Sequence, residues 1–103
     1  GHAGGTFPLY TGPAPTSGTA TFIAGLAPQD GVEAAVFHAT VNGQPCDALE
    51  DRPEPGQYPG VVRALQFRCP LEALRDGYNE IRIQQPTAQP AQQVIWAEIR
   101  IEP

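Results

Sequence analysis

Short segments in which apolar and polar residues alternate recur along this chain, and turn-forming residues separate them. Because successive side chains of a β-strand point to opposite faces of a sheet, a period of two predicts strands that are buried on one face. The alternation is clearest in the second half, where Arg82 separates Ile81 from Ile83. We predict about six strands, at residues 19–26, 32–41, 44–49, 61–69, 78–83 and 94–101.

The segment 32–41 has two interpretations, because its alanine content also suits a helix. The dipeptide Asn42-Gly43 follows it at once. Asn-Gly between two apolar alternating runs is the strongest short signal for a β-hairpin. The strand interpretation is therefore favoured, with residues 44–49 as the returning strand.

Residues 70–77 break the alternation and predict a single helical turn between two strands. Pro70 suits the first position of a helix, and Gly77 suits the residue that follows its end. Leu71 and Leu74 are three residues apart and would lie on one face of that turn.

The number of short strands and turns indicates an all-β fold, an antiparallel β-sandwich with one short helical turn near 70–77. The chain has 103 residues, the size of one domain. Its 12 prolines and 11 glycines are spread between the apolar segments, as in a protein with many turns. We assign residues 1–5 to a cloning remnant, 6–18 to a linker or N-terminal arm, and 19–103 to a single β-sandwich domain.

The charge of the chain argues against two kinds of partner. Its formal net charge is −5, and its 6 Lys and Arg residues do not cluster. Nucleic acids and anionic membrane surfaces attract basic patches, so we expect neither as a partner. No apolar run approaches the ~20 residues that a transmembrane helix needs.

The two cysteines, Cys46 and Cys69, leave two interpretations open. Their spacing is not a CxxC motif and no paired histidine motif accompanies them, so we expect no zinc site. They are candidates for one disulfide, which would suit an exported protein. They could equally be two buried free thiols, and geometry has to decide between these states.

Residues 74–83 carry the pattern L-x-x-G-x-N-x-I-x-I, between a strand that ends in proline and a closing aliphatic strand. Together with the upstream Asn-Gly hairpin, this order resembles the jelly-roll, galactose-binding-like β-sandwich modules of carbohydrate-active enzymes. The resemblance covers roughly residues 32–102. It implies a carbohydrate-binding-module-like domain of a larger extracellular enzyme, with a polysaccharide or oligosaccharide and the parent catalytic domain as partners.

Modules of this kind often hold one structural calcium ion. Residues 48–54, with the sequence ALEDRPE, could contribute oxygen ligands to such a site. The chain lacks the alternating Asp/Asn ligand loop typical of calcium sites. We therefore expect neither a metal nor a cofactor.

Sugar binding requires an aromatic face on which C–H groups can stack and planar polar side chains for the hydroxyls. Trp96, the only tryptophan, shares a predicted strand face with Glu98 and Arg100. Tyr58 lies in the proline-rich loop 50–60 and could overhang the edge of such a platform. The alternative is that Trp96 packs in the core or under a loop, as large aromatic residues usually do.

His38 is a further candidate ligand-binding residue, at the rim of a strand. No serine or cysteine near it in sequence suggests a catalytic triad, so we expect no catalytic role. The acidic residues lie beside turn-forming prolines or on strand faces rather than across a predicted cleft, and a glycosidase pair needs such a cleft. We predict that the domain is not an enzyme.

The sequence leaves two functions open. The first is a non-catalytic carbohydrate-binding module. The second is a structural or interaction β-sandwich that packs against a catalytic domain without binding sugar. Exposure of Trp96 beside a tyrosine or an arginine would favour the first, whereas a buried Trp96 and an outward apolar patch would favour the second.

Overall fold

The computed structural model describes residues 4–85 and 90–103 of the chain. Two single turns of 3₁₀ helix lie within those residues, at Pro55–Gln57 and at Leu71–Ala73. The second lies within the predicted helical turn 70–77 but is shorter, because Pro70 precedes it in an extended conformation and it ends four residues before Gly77. The described strands are β1 (Gly4–Tyr10), β2 (Thr19–Leu26), β3 (His38–Val41), β4 (Gln44–Pro45), β5 (Asp47–Ala48), β6 (Arg63–Cys69), β7 (Tyr78–Gln84) and β8 (Val94–Glu102).

The strands form two four-stranded sheets in which every pairing is antiparallel. Sheet I has the order β1-β7-β3-β4, and sheet II has the order β5-β6-β2-β8. The prediction of an all-β, antiparallel fold is confirmed, and the arrangement of two sheets around one core is β-sandwich-like. None of the described helical segments is long and apolar enough to cross a membrane.

Phenylalanine rings from both sheets meet in the core between them. Phe22 of β2 is completely buried. Its ring centroid lies 6.2 Å from that of Phe7 in sheet I and 6.4 Å from that of Phe67 in sheet II. Ile81 and Ile83 of β7 are also fully buried. The alternating pattern of β7 thus places its apolar side chains on the inner face, as predicted.

The N-terminal segment contributes an edge strand to sheet I. β1 pairs with β7 over its whole length, from Gly4 opposite Gln84 to Tyr10 opposite Tyr78. These residues lie outside the predicted domain 19–103, within the predicted remnant and arm, so the sheet begins earlier than the sequence indicated. A proline at position 8 is compatible with this strand because β1 lies at the edge of the sheet.

The predicted hairpin after residue 41 is present, with β3 and β4 as its strands. Asn42 has a φ of 50° and Gly43 a φ of 85°. Both values lie in the left-handed region, as a two-residue type I′ turn requires. β3 begins only at His38, however, so the predicted strand 32–41 is too long.

An arginine explains why the chain is not a strand before residue 38. The Nη1 of Arg63 donates hydrogen bonds to the carbonyl oxygens of Val32 (2.8 Å) and Ala35 (2.7 Å). These two carbonyls therefore accept hydrogen bonds from a side chain and not from the backbone of a neighbouring strand. Ala35 and Phe37 are nevertheless buried, which accounts for the apolar alternation in the sequence.

The predicted returning strand 44–49 is divided between the two sheets. β4 pairs with β3 in sheet I, and β5 pairs with β6 in sheet II. Cys46 lies between them, and its backbone N–H donates to the carbonyl of Ala39 (2.9 Å). This short segment therefore crosses one side of the two-sheet core.

The side chain of Asn79 joins three segments at one end of sheet I. Its Oδ1 accepts hydrogen bonds from the backbone N–H of Arg75 (2.7 Å) and from Nδ2 of Asn42 (2.8 Å). Its Nδ2 donates to Oγ1 of Thr11 and to the carbonyl of Arg75, both at 3.0 Å. Asn79 is only 1% exposed, so these bonds satisfy a buried amide. The asparagine of the L-x-x-G-x-N motif thus has a structural part in this fold.

Candidate functional site

The proline-rich loop 50–62 folds over the outer face of sheet II. Ile23 lies on that face, opposite Gln66 and Glu98 in the neighbouring strands, and yet it is completely buried. Its cover is a small second cluster that joins the loop to the sheet. The cluster consists of Ile23, Val61 and Ala64, with Tyr58 and Trp96 packed against them.

Gly25 lets this loop approach the sheet closely. A Cβ atom at this position would lie 2.7 Å from Cγ2 of Val61 and 3.2 Å from Cβ of Trp96. The first distance is shorter than real Cβ contacts allow, so any larger residue would push the loop outward. Because residue 25 has no side chain, both Val61 of the loop and Trp96 can pack directly against the backbone of β2.

Polar contacts along the loop anchor its first half. The backbone N–H of Arg52 donates to the carbonyl of Ala64 (2.9 Å), and Nη1 of Arg52 donates to Oε1 of Gln66 (3.3 Å). The Nε2 of Gln66 donates in turn to the carbonyl of Glu50 (3.0 Å). The loop is therefore fixed to β6 by both backbone and side-chain bonds.

An aromatic stack lies at the centre of this face. The rings of Tyr58 and Trp96 have centroids 4.1 Å apart and an interplanar angle of 27°. The Nη2 of Arg100 donates to the hydroxyl of Tyr58 (3.1 Å). The Nε of Arg100 donates to Oε1 of Glu98, and this hydrogen bond raises the pKa of Arg100.

We define the stacked face as Tyr58, Trp96, Glu98 and Arg100. The side chain of Arg100 is 38% exposed and that of Glu98 is 31% exposed, so solvent reaches the ion pair. Trp96 is half-buried, which is intermediate between the two alternatives that the sequence left open. The stacked face combines two aromatic rings, a cation and an anion. Tyr58 stacks on Trp96 and accepts a hydrogen bond from Arg100, which also donates to Glu98.

The fold brings four of the five predicted ligand-binding residues together and leaves one apart. His38 begins β3 in sheet I, where it pairs with Gln84 and is exposed. It belongs to the other sheet, because the strand on which it lies is not part of sheet II. Ligand binding by any of the five residues stays a prediction.

Sequence reasoning missed Gln66 and Arg52 as parts of this surface. Gln66 stands between Leu65 and Phe67 in the sequence, and such alternation does not tell which loop covers the strand. Arg52 belongs to a loop whose path depends on contacts distant in sequence. The one available signal was Ile23, because an apolar residue out of phase with Phe22 indicates a second buried side of β2.

The two cysteines lie close together at the side where the chain crosses between the sheets. Their sulfur atoms are 3.6 Å apart, and both are free thiols in this structure. Cys69 is buried, whereas Cys46 is half-buried. The hydrogen bond between the two thiols lowers the pKa of Cys46, while the same contact and burial raise the pKa of Cys69. The sequence left a disulfide and two free thiols open, and the proximity of the two sulfurs makes the disulfide testable.

Within residues 4–85 and 90–103, no group of three or more His, Cys, Asp or Glu side chains is placed to hold a metal ion. In comparisons with known proteins, no family model matches the chain. A search of curated proteins also finds no match.

Proposed function

We propose that this chain is a non-catalytic carbohydrate-binding module, and that the stacked face on sheet II binds the sugar. The observation that carries the proposal is the stack of Tyr58 and Trp96 beside the ion pair of Arg100 and Glu98. Within the proposal, the fold is of the jelly-roll, galactose-binding-like type, as the resemblance in residues 74–83 implies.

The chemistry of the stacked face suits a sugar ring. One side of a pyranose presents C–H groups that pack on an aromatic face, and its rim presents hydroxyls. Arg100 offers guanidinium N–H donors and Glu98 offers carboxylate acceptors, and hydrogen bonds to charged groups are stronger than neutral ones. Both groups are already positioned by Tyr58 and by each other, so little side-chain entropy would be lost on binding.

The charge of the chain indicates the class of polysaccharide. A net charge of −5 repels acidic glycans at low ionic strength, so the proposed ligand is neutral. A module of this kind belongs to a larger glycan-active enzyme that acts outside the cell. The parent catalytic domain is the second partner in the proposal.

Affinity electrophoresis through gels that contain soluble neutral polysaccharides tests the proposal. β-Glucan, xylan and galactomannan are suitable neutral probes, with polygalacturonate as an acidic comparison. We expect retardation by at least one neutral polymer. Trp96→Ala should weaken binding roughly tenfold, the equivalent of about 1.4 kcal/mol. Tyr58→Phe should weaken it less, since this change removes only the hydroxyl that Arg100 binds.

Arg68→Ala is the matched control, because Arg68 is exposed on the same outer face, two residues from Gln66 along β6. Circular dichroism of each variant checks that it is folded. If no polysaccharide retards the folded protein, the carbohydrate proposal fails, and the interaction sandwich becomes the better explanation. If Trp96→Ala binds as tightly as the unchanged protein, the sugar does not bind at the stacked face.

A further inference from the structure

A second aromatic pair lies on the outer face of the other sheet. Tyr10 in β1 and Tyr78 in β7 are direct partners across the two strands. Their ring centroids are 5.2 Å apart and their planes are inclined by 59°. Tyr10 is 67% exposed and Tyr78 is 68% exposed, in contrast to the half-buried stack on sheet II. We call these two residues the tyrosine pair.

The backbone beneath the tyrosine pair is held firmly. The N–H of Thr11 donates to the carbonyl of Gly77 (2.9 Å), and the N–H of Gly77 donates to the carbonyl of Gly12 (2.7 Å). Oδ1 of Asp76 accepts a hydrogen bond from the N–H of Ala14 (2.8 Å). The exposure of the two rings is therefore not the result of a fraying strand end.

The polar surroundings of the tyrosine pair resemble those of the stacked face in chemistry. Glu80 and Arg82 follow Tyr78 on the same face of β7, and their charged groups are 3.9 Å apart. More than half of each of these side chains is exposed. An aromatic surface and an adjacent cation and anion thus occur on both sheets.

We infer that the tyrosine pair, with Glu80 and Arg82, is a second carbohydrate-binding surface for a neutral polysaccharide. It lies on the outer face of sheet I, so it is separate from the stacked face on sheet II. The choice of ligand class rests on the proposed function, whereas the location rests on the exposed pair itself. With one surface on each sheet, a single domain can bind two polysaccharide segments at once and gain avidity on an insoluble glycan.

The extent of the apolar surface favours a sugar over a protein partner. In the described strands of sheet I, Tyr10 and Tyr78 are the large hydrophobic side chains that are exposed. A stable protein interface buries about 800 Å² on each partner around an apolar core, which is much more than two rings supply. Proline-rich peptides bind in aromatic-lined grooves, whereas these rings stand out from the face of a sheet. One or two sugar rings match the size of this pair.

Nuclear magnetic resonance titration with soluble oligosaccharides of the neutral polymers tests the inference. We expect chemical-shift changes at the amides of residues 9–12 and 76–82, in addition to those at 96–100. The double variant Tyr10→Leu/Tyr78→Leu retains apolar area but loses the aromatic faces. It should weaken binding at sheet I roughly tenfold and leave the changes at 96–100 as they were. Gln44→Ala, at an exposed position of β4 on the opposite edge of sheet I from β1, is the control and should alter neither set.

The outcomes separate the two proposals. If Trp96→Ala still binds and the added tyrosine substitutions abolish that remaining binding, the second surface is supported. If shift changes occur only at residues 96–100, the second surface is refuted and the stacked face stands. If they occur only around the tyrosine pair, the stacked face fails and this surface stands. Changes caused by a proline-rich peptide but by no glycan, or by raising the protein concentration alone, would overturn the inference in favour of a peptide or a second copy.

Discussion

Replacing Asn79 by alanine should destabilise the domain far more than a typical substitution in a strand. The amide of Asn79 makes four hydrogen bonds of 3.0 Å or less. They connect β7 to Thr11, to Asn42 and to the backbone of Arg75. Its side chain is buried, so a void without polar partners would replace these bonds.

The size of the effect follows from what each partner retains. Nδ2 of Asn42 keeps its bond to the carbonyl of Ala73 (2.8 Å), and the hydroxyl of Thr11 keeps weaker contacts with backbone carbonyls. The backbone N–H of Arg75 loses its side-chain acceptor. With about 1 kcal/mol for each hydrogen bond and about 1–3 kcal/mol for each unpaired buried group, we expect a loss of about 3 kcal/mol. A domain of this size has ~5–15 kcal/mol of stability in all.

Urea unfolding followed by the fluorescence of the only tryptophan measures this loss. The melting temperature should fall by about 12–24 °C. Gln84→Ala is the control, because Gln84 is exposed on the same strand and should change stability by less than about 0.5 kcal/mol. A loss below about 1 kcal/mol for Asn79→Ala would refute the view that this network holds the end of sheet I together.

Three further predictions concern the loop, the thiols and the arginine. Gly25→Ala should lower the free energy of unfolding by about 1–3 kcal/mol and shift the tryptophan fluorescence. Gly56→Ala is the control and should change neither, because a Cβ atom at position 56 would contact no neighbouring atom. Thiol titration of the protein unfolded without reductant should find no free cysteine if Cys46 and Cys69 form the disulfide, and two reactive thiols would refute it. After reduction, alkylation should label Cys46 before Cys69 and begin at a lower pH than for an ordinary cysteine, since its pKa is lowered and the thiolate is the reactive form. Arg63→Met should lower the free energy of unfolding, measured in urea, by about 2–4 kcal/mol, because it removes the hydrogen bonds of this arginine. The same substitution at Arg68, the exposed arginine of β6, should change the free energy of unfolding very little.

The strands with the clearest alternation were predicted well. The predicted bounds 78–83 and 94–101 differ by one residue from Tyr78–Gln84 and Val94–Glu102. In such strands the pattern of burial and the pattern of pairing agree, so local sequence is sufficient. The Asn42-Gly43 turn is equally local, because its two left-handed residues define the hairpin without outside contacts.

The sequence was less informative where distant contacts decide the structure. β1 contains a proline and two glycines, and it is a strand because β7 offers a complete ladder to it. The division of residues 44–49 depends on the position of β6, which follows after a long loop. In both cases the partner strand is distant in sequence, and alternation within one segment cannot identify it.

The candidate site shows the same limit at the level of side chains. Alternation correctly assigned Trp96, Glu98 and Arg100 to one face of β8, opposite the core-facing Ile99. It did not predict that Tyr58 stacks on that face, because this requires the loop to fold back over sheet II.

Burial of Ile23 stabilises the folded-back position of the loop. If the loop were absent, a large apolar side chain at the centre of the outer face would be exposed to water, at a cost of about 1.5–3 kcal/mol. The loop therefore stabilises the sheet by covering Ile23, and the same packing brings the hydroxyl of Tyr58 to Arg100. Tyr10 and Tyr78 contact each other across two strands, but they cover no buried apolar side chain and their rings remain exposed in the folded domain. Packing thus accounts in part for the aromatic residues of both sheets: those of sheet II cover Ile23, whereas those of sheet I contact only each other and leave their outer surface free for the proposed ligand.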